Sequence, residues 1–475
     1  MPSLPLRLSA LFLALGLSAC DDAPKFTQAE PGEARSGGSA TVRKTDQNAF
    51  SMPSANLPPS RRVDFSVGNS FFRSPWVIAP STTTARDGLG PLFNTNACQG
   101  CHIKDGRGHP PAADDVNAVS MLVRLSIPDT PAYAKVIEQI GVVPEPVYGG
   151  QFQDMAVPGV APEGKVRVDY TAVPVRFKDG TEVELRKPSL NITQLGYGPM
   201  HPDTRFSARI APPMIGLGLL EAIPDEAILA NAEAQAKANN GISGRPNRVW
   251  DDAGQKTVLG RFGWKAGQPN LNQQNVHAFS GDMGLTTSLR PFDDCTDAQT
   301  ACKQAPNGNG PDGEPEVSDN ILRLVLFYSR NLAVPARRDV NAPEVLAGKT
   351  LFYQAGCQSC HTPKYTTAAN AAEPELANQV IRPYSDLLLH DMGDGLADNR
   401  SEFQASGREW RTPPLWGIGL TQAVSGHTQF LHDGRARNLL EAVLWHGGEA
   451  TAAQQQVLSF NAEQRAALLA FLNSL

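Results

Sequence analysis

The sequence predicts a mainly α fold of two tandem units, the first interrupted by a β-rich insertion. Three observations predict it. One pentapeptide occurs twice, 259 positions apart (98 to 357). Helix signals surround both copies. Between them, residues 118–195 change to the period-two alternation of strands.

The pentapeptide is Cys98-Gln-Gly-Cys101-His102 and again Cys357-Gln-Ser-Cys360-His361. C-x-x-C-H is the attachment signal for c-type haem. Each thiol adds to one vinyl group, two intervening residues let both sulfurs reach one porphyrin edge, and the adjacent imidazole meets the iron. Both units are therefore expected to be cytochrome c-like haem domains, with two covalently bound c-type haems and His102 and His361 as proximal ligands. A zinc knuckle or redox disulfide would explain C-x-x-C, but neither explains a His after both copies, and neither copy has a further Cys pair nearby.

From the N-terminus, residues 1–20 read as a lipoprotein signal peptide. Arg7 is its positive region and Leu8 to Leu17 its apolar stretch, too short to span a bilayer. Leu17-Ser18-Ala19-Cys20 resembles a lipoprotein cleavage site that leaves a lipid on Cys20. The expected location is the periplasm, lipid-anchored to a membrane. Residues 21–60, rich in Pro, Ser, Gly and Ala, read as a flexible tether. Residues 61–335 form the first haem domain and 336–475 the second. Within the insertion, Val119 to Ser126 and Lys165 to Tyr170 alternate as strands do. Val173 to Phe177 and Thr181 to Leu185 flank the turn signal Lys178-Asp-Gly180. Helices are expected at 224–237, from Ser318 to Leu332, at 342–353, at 433–446 and at 461–475, the last opened by Asn461 with Glu463-Gln464.

Of seven Cys, four belong to the haem motifs and one to the signal segment. Cys295 and Cys302 remain in a polar loop, and in an oxidising compartment they are expected to pair. The loop Asn307 to Glu314 is oxygen rich, so calcium is a candidate ligand. It lacks EF-hand spacing and reads first as a solvated loop. The net charge of −6 argues against nucleic acid.

Six segments carry a resemblance: Ala85 to Phe93, Ile215 to Pro224, Gly260 to Ala266, Leu387 to Gly393, Arg411 to Trp416 and Leu431 to Ala436. With the paired haem motifs, residues 65–475 resemble the bacterial di-haem cytochrome c peroxidase and methylamine-utilisation di-haem enzyme superfamily. The closest likeness is to its di-haem oxidoreductase, thiol-oxidoreductase-like branch. The resemblance implies a distal ligand for the second haem fourteen residues after the His of Leu431-His-Asp-Gly. That position is His446, where peroxidases are expected to carry Met and the methylamine-utilisation enzyme Tyr.

It also implies a Trp between the haems, matched by Trp264, and a Gln ten residues on, matched by Gln274. An acidic residue over the first haem follows, matched by Asp282 at a spacing about two residues short. Met283 and His277 lie in the same stretch, and either could ligate the first iron; His109, close to His102, is a third candidate. The implied activity is reduction of hydrogen peroxide, with electrons from a small periplasmic cytochrome or cupredoxin. A di-haem electron-transfer protein without substrate chemistry, and an oxidase of protein side chains or thiols, remain as alternatives.

Overall fold

The computed structural model describes residues 24–475, so Arg7, Cys20 and the signal segment lie outside the described residues. The expectation of a mainly α tandem of cytochrome c-like domains is corrected: the described residues are 31% helical and 17% strand. Its strands form six sheets of two or three strands among the described residues. Two of these lie in the second half, pairing Tyr365–Thr366 with Val380–Ile381 and Leu389–Asp391 with Glu409–Arg411. Strands of two or three residues are too short to show a period of two, which is why the sequence pattern misses them.

Inside the insertion the alternation is real. Met121–Ser126 pairs antiparallel with Arg205–Ile210 on one edge and Gln151–Phe152 on the other. Lys165–Arg176 and Glu182–Thr193 make a hairpin, closed at Arg176 opposite Glu182. Its turn needs Gly180 at φ +89°, and the Asp179 carboxylate accepts the Thr181 N–H at 2.9 Å. The hairpin lies across the second half of the chain. Lys178 N–H donates to Leu458 O at 3.0 Å, Arg465 meets Asp179 at 2.7 Å, and Arg186 donates to Arg435 O at 2.8 Å. One apolar cluster accordingly contains Leu125, Tyr148, Ile210 and Trp264 together with Phe352, Trp410, Trp445 and Phe471.

Helices form where their caps allow. The Ser318 hydroxyl accepts the Ile321 N–H and opens Asp319–Arg330. Asn461 and Gln464 make a reciprocal capping box at the start of Ala462–Ser474. The helix expected over 433–446 is only Leu439–Leu444. Gly434 at φ +72° and the Arg435–Asp433 ion pair hold the preceding residues in a turn, and Asn438 caps the helix instead. Cys295 and Cys302 form a disulfide. Among the described residues no helix is long and apolar enough to cross a membrane.

Residues 24–60 are not a loose tether. Ala40, Ala49, Phe50 and Leu57 are buried, and Ser54 N–H donates to Asn331 O at 2.8 Å. Glu33 is enclosed with Lys349 at 2.8 Å and with Arg337. Four scattered apolar anchors leave no periodic signature, so composition alone misreads the segment. Burial works to raise the Glu33 pKa, but Lys349 and Arg337 outweigh it and the net shift is below 4.5. Its stabilising contribution is therefore complete above pH 4.5 and is lost as the pH falls through the lower folded value. Glu33→Gln strands two buried cations and is expected to cost about 3 kcal/mol. A denaturant midpoint unmoved by the substitution would show that the cluster carries no such weight.

Candidate functional site

The first motif is one helical turn, Cys98–Cys101, with His102 N–H bonded to Cys98 O at 3.0 Å. The His102 ring donates from Nδ1 to Pro212 O at 2.8 Å. A carbonyl can only accept, so the proton is on Nδ1 and the Nε2 lone pair is free. Burial pushes this imidazole down to about 4, so it is neutral at pH 7. The second motif repeats the arrangement: His361 donates from Nδ1 to Tyr384 O at 2.9 Å, and burial again lowers it to about 4. Fixing one ring nitrogen on a carbonyl orients the other, as metal-ligating histidines require. The residues present thus fit two haems, each with a pair of thiols and a neutral, oriented imidazole.

His446 has the same construction. It follows the short helix Leu439–Leu444 and donates from Nδ1 to Ala442 O at 2.8 Å, with its pKa lowered by burial. A proton on His446 would oppose one on His361, so the two imidazoles are near enough for the charge of one to be felt by the other.

Other histidines are committed elsewhere. His390 lies between Asp386 at 2.9 Å and Glu449 at 2.7 Å. Burial opposes its charge, but Asp386, Cys360 Sγ and Glu449 override it and hold the ring protonated, with its pKa raised to about 12. His427 Nε2 meets Arg107 O at 3.0 Å and its Nδ1 accepts the Gln429 N–H. His432 stacks on Trp410, centroids 3.6 Å apart. His277 is held between Asp252 at 2.8 Å and Gln268 at 2.9 Å, so both its ring nitrogens are engaged. His109 is the exception: its Nδ1 lies 2.8 Å from Pro110 O, which leaves Nε2 free as in His102.

The helix Leu271–Met283 carries the remaining candidates for the first site. Asp282 accepts from Gln151 Nε2 at 2.9 Å, and its main-chain carbonyl accepts Asn94 and Thr95 N–H. Burial raises its pKa, with the Arg124 charge and the Gln151 bond pulling the other way. Its charge in turn helps burial to push Cys98 up to about 12 and to raise Cys101, so Asp282 adjoins the first motif. Gln274 stands two turns earlier, half-buried. Met283 is buried among Phe72, Phe279 and Leu285, with Cys98 packed against the same cluster.

Trp264 is buried, its indole N–H donating to Ile210 O at 2.9 Å. Its ring lies 6.4 Å from that of His432, which extends the aromatic row to Trp410. The oxygens of the Asn307–Glu314 loop are used locally: Asn307 on Asn309 N–H, Glu314 on Asp312 N–H, and Asn309 on the Thr286 hydroxyl.

Sequence reasoning missed Gln151 and Arg124. They are directly opposite one another across the strand pair, so they share a sheet face beside Asp282. Both come from the insertion, more than a hundred positions from Asp282, and neither sits in a motif; only the strand register brings them in.

A family model described as "Di-haem oxidoreductase, putative peroxidase" matches residues 31–475. No curated protein and no solved structure matches the chain.

Proposed function

The chain belongs to the di-haem oxidoreductase family, and from that premise we propose that it carries two covalent c-type haems and reduces hydrogen peroxide. Electrons would come from a small periplasmic cytochrome or cupredoxin, with the protein held to a membrane by a lipid on Cys20. The observation that carries this reading is the inequality of the two sites. His361 and His446 are both neutral with Nδ1 fixed on a carbonyl, and a charge on His446 would be felt at His361, whereas the first motif is adjoined by Asp282, which Gln151 holds and the Arg124 charge faces.

When bound, the two irons supply the electron store and the position that takes a peroxide oxygen. His102 and His361 would each hold one iron, and His446 would be a further ligand at the second motif. The first motif, with no such second imidazole assigned to it, would be where the small oxidant binds. Asp282 there is the proton carrier: burial raises its carboxyl toward neutrality, Gln151 fixes Oδ1, and Oδ2 is left to exchange a proton. Gln274, on the same helix, is a second polar group for the substrate. Trp264 is the aromatic bridge between the sites, locked by its bond to Ile210. The oxygen-rich loop at 307–314 remains a candidate for calcium.

Asp282→Asn is expected to slow peroxide-dependent oxidation of a donor cytochrome by about 10²-fold, with haem content intact. Trp264→Phe is expected to slow electron exchange between the haems, followed by stopped-flow absorbance, without affecting peroxide binding. If half-reduced wild-type protein with calcium present gives neither donor oxidation nor a spectral change with peroxide, the chain is an electron carrier and Asp282 has no proton to move.

A further inference from the structure

Arg107 is a buried cation with no anionic partner among the described residues. Only 6% of it is exposed. Its guanidinium carbon lies 5.7 Å from the ring centroids of both Trp264 and Phe430. Its one side-chain hydrogen bond among the described residues runs from Nη1 to Leu431 O, at 3.3 Å. Several other buried arginines meet carboxylates: Arg209 meets Glu402 at 2.7 Å, Arg400 meets Glu402 at 2.9 Å, and Arg435 meets Asp433 at 2.7 Å. Arg411, also without an ion pair, is instead held by two carbonyls, Gly263 O at 2.8 Å and Thr412 O at 3.1 Å. For Arg107 burial acts alone and pushes the pKa down to about 10. An ion taken from water without a partner costs several kcal/mol, so such a group implies an anion that the chain itself does not supply.

The guanidinium fork matches a carboxylate in two parallel hydrogen bonds. Arg107 is five residues beyond His102 and packs on Trp264, so the nearest source of carboxylate is the cofactor. We propose that Arg107 binds a haem propionate at the junction of the two sites and thereby sets the potential of that haem. This rests on the di-haem reading.

The test is redox titration of the whole protein, with haem staining of denaturing gels on the same samples. Arg107→Met removes the charge and keeps the apolar stem. It should shift the reduction equilibrium of one haem at least tenfold toward the oxidised form, 59 mV for one electron, while the other haem stays put. Arg107→Lys should restore most of the shift. If Arg107→Met does not fold, Arg107→Gln gives the same reading. Unchanged potentials in Met or Gln, or a Lys variant displaced as far as either, would overturn the proposal. So would a wild-type potential that moves on adding acetate while that of Arg107→Met does not, because the bound carboxylate would then be a soluble one. A colourless, stain-negative wild type would overturn the di-haem reading itself; intact staining with unmoved potentials would sink the Arg107 assignment alone.

Discussion

Replacing Cys98 and Cys101 together by Ser is expected to halve the covalently bound haem, the same change made instead at Cys357 and Cys360 to halve it likewise, and all four changes together to abolish it. Haem-stained denaturing gels and the haem-to-protein absorbance ratio read these outcomes. The expectation follows from chemistry rather than packing: a serine hydroxyl forms no thioether with a vinyl group, and neither motif has another thiol beside it. Cys295 and Cys302, the remaining described pair, are bonded to each other. His102 and His361 keep their carbonyl partners in either variant, so a haem that still lodges there would be removed by denaturation. A wild-type protein that binds zinc and has no colour would end the account.

His446→Ala is expected to turn the second haem from low to high spin, seen by electron paramagnetic resonance and in the visible bands. His446→Met should keep it low spin and raise its potential, because a thioether favours the reduced iron relative to imidazole. The alternatives for that position are constrained by their partners. His390 is held by two carboxylates, His427 by a carbonyl and an N–H, and His432 by its stack on Trp410. A low-spin spectrum unchanged in the Ala variant would require one of them to abandon those contacts.

How much of this was legible depends on how far apart the interacting residues lie. Features written within a few residues read directly: the two haem motifs, the Asn461 capping box, the Lys178-Asp-Gly180 turn and the Cys295–Cys302 pair. His446, fourteen positions from His432, came only through the family resemblance, and its role as a ligand is proposed. Features made by distant strands did not read. Gln151 finds Asp282 because its strand pairs beside Arg124, and Glu33 finds Arg337 and Lys349 some three hundred residues on. Residues 24–60 looked unstructured because four apolar anchors without a period carry no local signal. The shortened helix before His446 has a similar cause. Its apolar residues suit a helix from 433, but the Arg435–Asp433 pair wins the first turn.

The hairpin Lys165–Thr193 has a consequence for the order in which the chain matures. Its apolar face, with Phe177 and Leu185 buried, is covered by segments near residues 430 and 460. A ribosome delivers those segments more than two hundred residues after the hairpin. Until they arrive, two long strands stand with an uncovered apolar strip beside edges that no other strand pairs, the condition in which chains pair with their neighbours. Pairings of such long sequence separation also form slowly. A polypeptide stopped before the final helix would thus be expected to aggregate rather than yield a working first half, and the two halves made as separate chains should recover each other poorly. The arm makes the segments that carry the two C-x-x-C-H motifs a single folding unit, completed only when the helix Ala462–Ser474 docks.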